Sequence, residues 1–234
     1  MGRERGPQQL PPGRHGLPRD YVAENQRERI LTALAQVVAE SGYADLTVEA
    51  VVARAGVSRR TFYQHFSNKE DAFLAAYGAF AACVLERVEQ AQRSETNFAR
   101  QAEAILRAVL QQLADNPAAA HMLVVEVLAA GPKAIERRNA ALRLMTEIVN
   151  RTTCALAVEQ GQQPPPMITA ETVVDGLVEV VYNRVQRRET SALPQLLPDL
   201  VYCALLPYVG SAAAAAEHSR LSSDAAAADR PARS

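Results

Sequence analysis

Tryptophan is absent from this sequence, and aromatic residues of all kinds make up only 5% of it. The apolar material must therefore come from aliphatic side chains and alanine rather than from large stacked rings. Cysteine is scarce too. Cys83, Cys154 and Cys203 stand far apart, with no pair at metal-ligand spacing, which argues against a zinc site and a disulfide framework. Each is expected to be a small buried apolar residue, and their odd count suits a reducing compartment. An excess of either charge is missing as well: 25 Lys and Arg stand against 26 Asp and Glu, a formal net charge of -1. The chain as a whole is not a basic coat for nucleic acid, so any DNA contact must rest on a local patch. No run approaches the roughly 20 apolar residues that span a bilayer. The basic N-terminus has no apolar segment behind it, so it does not read as a secretory signal. There is no glycine-rich phosphate loop, no G-x-S-x-G elbow, no H-E-x-x-H pair and no His/Cys cluster. No catalytic residue, metal or cofactor is expected, and the reading is a cytoplasmic protein that is not an enzyme.

What the sequence does have is aliphatic residues at helical spacing. With 234 residues and 48% hydrophobic content it can bury one substantial core, or a small domain plus a larger one. No segment alternates in the manner of strands closed by hairpin turns, so the expected class is all-α.

The most informative segment is Thr47 to Lys69, TVEAVVARAGVSRRTFYQHFSNK. Thr47 offers an N-cap hydroxyl, and Val48, Val51, Val52 and Ala55 lie on one helical face. Gly56 suits the left-handed residue that ends a helix, and Ser58 caps the next one. Arg59, Arg60 and Thr61 then form the exposed first turn of a second helix. Two helices joined in this way are a helix-turn-helix, whose second helix enters the major groove of DNA. Arg59 and Arg60 each carry a guanidinium fork that fits guanine O6 and N7, one of them in the groove and the other free for phosphate. Thr61 offers a methyl to thymine. Tyr63 offers a ring to a thymine methyl or a hydroxyl to phosphate, while Gln64 faces either way. Phe62 and Phe66 read as core.

The run A-G-V-S-x-x-T-F-Y-x-H-F-x-x-K-E, from Ala55 to Glu70, resembles the signature of the TetR family of bacterial transcriptional regulators. The upstream helix, ERILTALAQVVAESGYADLTV, is similar to that family's first helix, and the match covers roughly residues 24 to 75. The resemblance implies that Thr47, His65 and Lys69 contact phosphates, with Lys69 acting from the first turn of a fourth helix. One departure from the family pattern is Glu49, where a basic residue commonly stands. It puts in doubt a backbone contact from the second helix. For the cysteines, the resemblance adds an oxidant-sensing thiol as an alternative.

The organisation expected is a disordered basic arm over 1–22, with Arg3, Arg5, Arg14 and Arg19, followed by a helix-turn-helix domain over 23–70. A larger helical domain spans 71–209, joined to the head by a long helix opening at Asn68 and Lys69. A flexible Ala/Ser-rich tail runs over 210–234. The first helix is read from about Glu24 to Ser41. Asn116-Pro117, Gly131-Pro132 and Gly161 to Pro166 punctuate the larger domain. Late in the chain, Val174, Leu177, Val178 and Val181, then Leu197, Leu200, Val201 and Leu205, form apolar stripes that need a partner. Periodicity leaves core packing and a second subunit both open. The resemblance implies a homodimer that buries these stripes in an intermolecular four-helix bundle.

The resemblance also implies a repressor bound to a palindromic operator and released by a small-molecule effector held in the larger domain. Candidate ligand contacts are the polar residues inside apolar helices: His121, Glu126, Glu147, Tyr182 and Asn183. Glu126, within MLVVEVLAA, is the most suggestive of them. The rival reading is a DNA-binding protein with no small ligand, whose larger domain binds another protein or acts architecturally. An enclosed apolar cavity of several hundred Å3 between the long helices separates the two.

Overall fold

The computed structural model describes residues 19–95 and 97–228, and among these it is helical without strands. The head consists of α1 (Arg19–Ser41), α2 (Val48–Ala55) and α3 (Arg59–His65), with the first turns of α4 (Lys69–Ser94). Local chemistry sets each boundary. The Thr47 hydroxyl accepts from the Ala50 amide at 3.2 Å, and Gly56 closes α2 in the left-handed region at φ 62°. Ser58 Oγ accepts from the Thr61 amide and Asn68 Oδ1 from the Asp71 amide, both at 2.9 Å. Each such cap is worth about 1 kcal/mol.

Phe62 and Phe73 are fully buried among Ile30, Leu34, Val38, Leu46 and Val51. Each large side chain so buried contributes about 1.5–3 kcal/mol. This core does not stop at the head. Met122, Val127 and Ala134 belong to it, so the three head helices sit on a platform from the larger domain.

The body consists of α5 (Phe98–Asp115), α6 (Pro117–Val124), α7 (Pro132–Glu159), α8 (Met167–Gln186) and α9 (Leu197–Ala228). Short 3-10 segments cover Glu126–Leu128 and Thr190–Leu196. Prolines 117 and 132 occupy first helical positions, where the missing N–H is no loss. Leu110 and Leu113 of α5 meet Val185, Leu193, Leu197, Leu200, Val201 and Leu205 in a second core.

Several expectations are corrected. The first helix begins at Arg19 rather than at Glu24, with Asp20 in its first turn favouring the positive end of the helix dipole. The rest of the proposed arm, residues 1–18, lies outside the described residues. The segment after Gly210 is not a flexible tail. It is the distal part of α9, helical to Ala228, with Ala214 and Leu221 in the second core. Gly210, at φ 79° and ψ 168°, breaks the helix. His218 Nε2 lies 2.8 Å from Asp199 Oδ1. In a straight helix those residues would be about 28 Å apart, so α9 folds back on itself. Arg220 then joins the distal part to α5 by pairing with Glu103, and it also pairs with Glu217 and Asp224. Burial pushes the Glu103 carboxyl upward, but Arg107, Arg220 and Arg100 outweigh it and hold the group below the usual range.

The run Thr190–Ala227 is long and apolar enough to cross a membrane by length and composition, contrary to the expectation that none would be. The reversal at Gly210 breaks it, and Leu193, Leu197, Leu200, Val201 and Leu205 are buried against α5 and α8.

The cysteines are not buried either: Cys83 and Cys203 are exposed and Cys154 is half-buried, because their helices turn other faces inward. The two apolar stripes are satisfied within the protomer. Val174, Leu197, Leu200, Val201 and Leu205 are buried, and Leu177, Val178 and Val181 are half-buried around an internal cavity. Five of these eight residues are thus covered within the protomer itself, and the other three in part. Exposed on the same helices are Thr172, Gly176 and Val180 of α8, at i, i+4 and i+8, and Cys203, Leu206 and Pro207 of α9.

Candidate nucleic-acid interface and ligand cavity

The expected DNA residues stand at the start of α2, at the start of and along α3, and at the start of α4. Thr47, Ser58, Arg59, Arg60, Tyr63 and Gln64 are exposed, and Thr61, His65 and Lys69 are half-buried. Several are already engaged. Thr47 and Ser58 cap their helices, and the Thr61 hydroxyl lies 2.9 Å from the Ser58 hydroxyl. Arg59 pairs with Glu49 across the turn. The Tyr63 hydroxyl, then the Glu49 carboxylate, hold its guanidinium protonated above the usual range. Lys69 Nζ donates to the Leu46 carbonyl at 2.9 Å and sits 5.3 Å from the centre of the Tyr43 ring. The ammonium has three donors, so this contact leaves others for a phosphate. Arg60 has no carboxylate partner among the described residues. Beneath α3, Arg29 donates to the carbonyls of Ala55 and Gly56, fixing the glycine turn from α1.

In the body, a cavity of about 400 Å3 opens between α4, α5, α6, α7, α8 and α9. Its wall is overwhelmingly aliphatic, including Val84, Val109, Ile148, Val174, Leu177 and Val178, and it contains no Asp or Glu. Arg138 of α7 is the one basic residue on the wall, and its guanidinium has no carboxylate partner among the described residues. Tyr77, Tyr182 and Tyr208 add phenol groups. The Tyr208 hydroxyl is buried without a hydrogen-bond partner among the described residues.

Of the five residues expected to touch a ligand, only Tyr182 lines this cavity. Glu147 is exposed on α7, and Asn183 donates to Glu179 on its own helix at 2.9 Å. His121 lines a separate cleft of about 410 Å3 between α1 and the body. Glu126 reaches the head: its Oε2 accepts from the Tyr43 amide at 2.7 Å, and its Oε1 lies 3.3 Å from His121 Nε2. Arg138 and Tyr208 were missed. Arg138 sits in a charged stretch, KAIERRNA, that reads as a solvated surface, and a tyrosine late in an apolar stripe reads as core.

Residues 30–76 match the family of bacterial regulatory proteins, tetR family. Nucleoid occlusion factor SlmA of Marinomonas sp. is 30% identical over 105 residues, covering 45% of this chain and 53% of that protein. The HTH-type transcriptional activator FasR of Mycolicibacterium smegmatis is 33% identical over 92 residues, covering 39% and 40%. The chain thus spans about half or less of the length of these curated relatives. Among solved structures, the transcriptional regulator FadR of Bacillus subtilis in complex with stearoyl-CoA aligns with a TM-score of 0.67 at 20% identity, over 78% of this chain and 98% of that one. That likeness extends the shared fold from the head through the body. Residues 30–76 are thus a domain of the tetR family of bacterial regulatory proteins, and the helical body shares the fold of the aligned structure.

Proposed function

We propose that the protein is a homodimeric transcriptional repressor that binds a palindromic operator through α3 and leaves it when a small apolar effector enters the body. The observation that carries this reading is the cavity of about 400 Å3, because α4 belongs to both sites. Its first residue, Lys69, lies at the DNA face, and Tyr77 to Gln92 of the same helix line the cavity. A ligand that fits better when α4 is displaced necessarily shifts the head, since an effector acts by its difference in affinity between two states. A filled core would have favoured the reading without a small ligand.

Arg60, Thr61, Tyr63 and Gln64 are the residues assigned to bases, and Thr47, Ser58, Arg59, His65 and Lys69 those assigned to the backbone. The subunit contact is assigned to the outer faces of α8 and α9, around Gly176, Val180, Cys203 and Leu206. Nothing would meet a Cβ at Gly176, so that face admits a second helix closely. The effector class is an alkyl chain with one acidic head: the wall is aliphatic, lacks carboxylates and carries Arg138. The stearoyl-CoA bound by the Bacillus subtilis FadR supports the same class. A DNA-binding regulator of this kind works in the cytoplasm.

The test is selection of bound duplexes from a random pool, followed by titration with oleate. An inverted repeat with half-sites one helical turn (about 34–36 Å) or a multiple apart, and release by oleate, supports the proposal. Recovery of no motif rejects the operator reading, and a motif indifferent to bound oleate rejects the effector.

A further inference from the structure

The end of α1 is gripped twice from the body. Arg188, two residues past the end of α8, donates from Nη2 to the carbonyl of Ala39 in the last turn of α1 at 2.6 Å. Glu126 accepts from the Tyr43 amide, two residues beyond the same helix, at 2.7 Å. The two arms come from residues 149 and 83 positions away in the sequence. His121 stands between them, 3.3 Å from the Glu126 carboxylate and close enough to Arg188 for that charge to lower its pKa, after burial.

Each arm is specifically seated. A guanidinium at the C-terminal end of a helix faces the negative end of its dipole. At Gly42, φ +80°, an added Cβ would lie 3.5 Å from Glu126 Oε2, so the carboxylate rests against the bare α carbon. Arg188 itself has φ 63°, the only left-handed non-glycine among the described residues, a conformation retained only where surrounding contacts hold it.

Both arms grow from elements that line the cavity. Leu123 and Val124 lie between His121 and Glu126, and Val181 and Tyr182 are one to two turns before Arg188. On the head side, the gripped segment runs directly into Leu46, which Lys69 ties to the start of α4.

We propose that Glu126 and Arg188 form a two-armed clamp on the end of α1 that fixes the angle of the helix-turn-helix on the body and relays displacement of α6 and α8 to it. The consequence for DNA rests on the function proposed above. Both are positioning residues, remote from the face of α3. A hydrogen bond of 2.7 Å does not survive an ångström of sliding, so ligand-driven movement of α6 has two discrete outcomes, gripped or released.

The test uses the full chain with Glu126→Ala, Glu126→Gln and Arg188→Met, the duplex obtained by selection, and oleate as the cavity probe. Amide hydrogen exchange at Tyr43 reports the clamp directly. We expect Glu126→Ala to accelerate that exchange, weaken duplex binding by roughly 5-fold or more and bring the effect of oleate on duplex affinity towards unity, with oleate itself still bound. Arg188→Met should do the same to duplex binding. Glu126→Gln should restore most of the affinity, because its carboxamide oxygen still accepts from the Tyr43 N–H. Unchanged exchange at Tyr43 in Glu126→Ala would overturn the clamp, as would wild-type duplex affinity in both Glu126→Ala and Arg188→Met. If the wild-type protein binds no duplex, the operator reading fails instead, and exchange at Tyr43 still decides whether the clamp exists.

Discussion

Glu49 and Arg59 form an ion pair that spans the helix-turn-helix, from the first turn of α2 to the first residue of α3. Both side chains are more than half exposed, so solvent screens the pair and it adds little to stability. Under the proposed function its effect falls on binding, because a guanidinium held by a carboxylate must be released before it meets DNA.

Replacing Glu49 with Gln should therefore tighten binding several-fold on cognate and random duplexes alike. The plot of log affinity against log salt should steepen by about one unit, as one more phosphate is neutralised. Titrations at a series of salt concentrations read both effects. Weaker binding would mean that Glu49 orients Arg59 for a base instead of restraining it.

The folded-back end of α9 sets a second expectation. Leu221 is 2% exposed and packs in the core containing Leu110 and Leu205. Leu221→Ala should cost about 2–4 kcal/mol in urea unfolding. A substitution in an unstructured tail would cost nothing measurable.

That segment also marks the limit of what the residues alone convey. The head could be read because its signals are local: Thr47, Gly56 and Ser58 each cap or end a helix within four residues of themselves. After Gly210 the run SAAAAAEHSRLSSDAAAA offered alanine, which favours helix and low complexity equally. The cue for packing was Ala214, Glu217 and Leu221 at i, i+3 and i+7, but Glu103, the partner of Arg220, lies 117 residues away. Distance in sequence hid the role of Glu126 in the same way. It stands out as a carboxylate among apolar residues, while its partner, the Tyr43 amide, is a backbone group without a side-chain signature. The stripes of α8 and α9 read as faces that need cover. Periodicity reports that a face is covered, not which surface covers it.

His121 makes stability depend on pH. Burial, then the Arg188 charge, lower its pKa below 6.5, against an opposing pull from Glu126. The unfolded chain therefore takes up a proton at this position before the folded one does. Stability is full above pH 6.5 and declines as pH falls from there through the folded-state pKa. Denaturation midpoints measured from about pH 7.5 to about pH 5.5 should fall in the wild type and fall less in His121→Gln. The depressed carboxyls of Glu40 and Glu103 act at lower pH, beneath 4.5, and do not mask the effect. Equal slopes in the two proteins would exclude His121 as the source.

The cavity permits a paired test. Val178→Phe places a ring in the space and should abolish binding of a fluorescent fatty acid, with a melting temperature within a few degrees of wild type. Arg138→Met leaves the volume and removes the cation. It should weaken the fatty acid several-fold and leave binding of the corresponding long-chain alcohol unchanged. Equal loss of acid and alcohol would place the head group elsewhere.

The two cores close at different times during synthesis. The one beneath the helix-turn-helix needs nothing beyond Ala134, so the head and its platform have all their packing partners once that residue has emerged. The other needs Leu205, Ala214 and Leu221, and cannot complete until the returning arm of α9 is made. Because domains fold as units, N-terminal first, a nascent chain of this protein passes through a stage with a head packed on its platform, not yet gripped by Arg188, over an open body. In that stage the aliphatic lining of the future cavity faces water, and a ligand or chaperone that covers it early would assist folding.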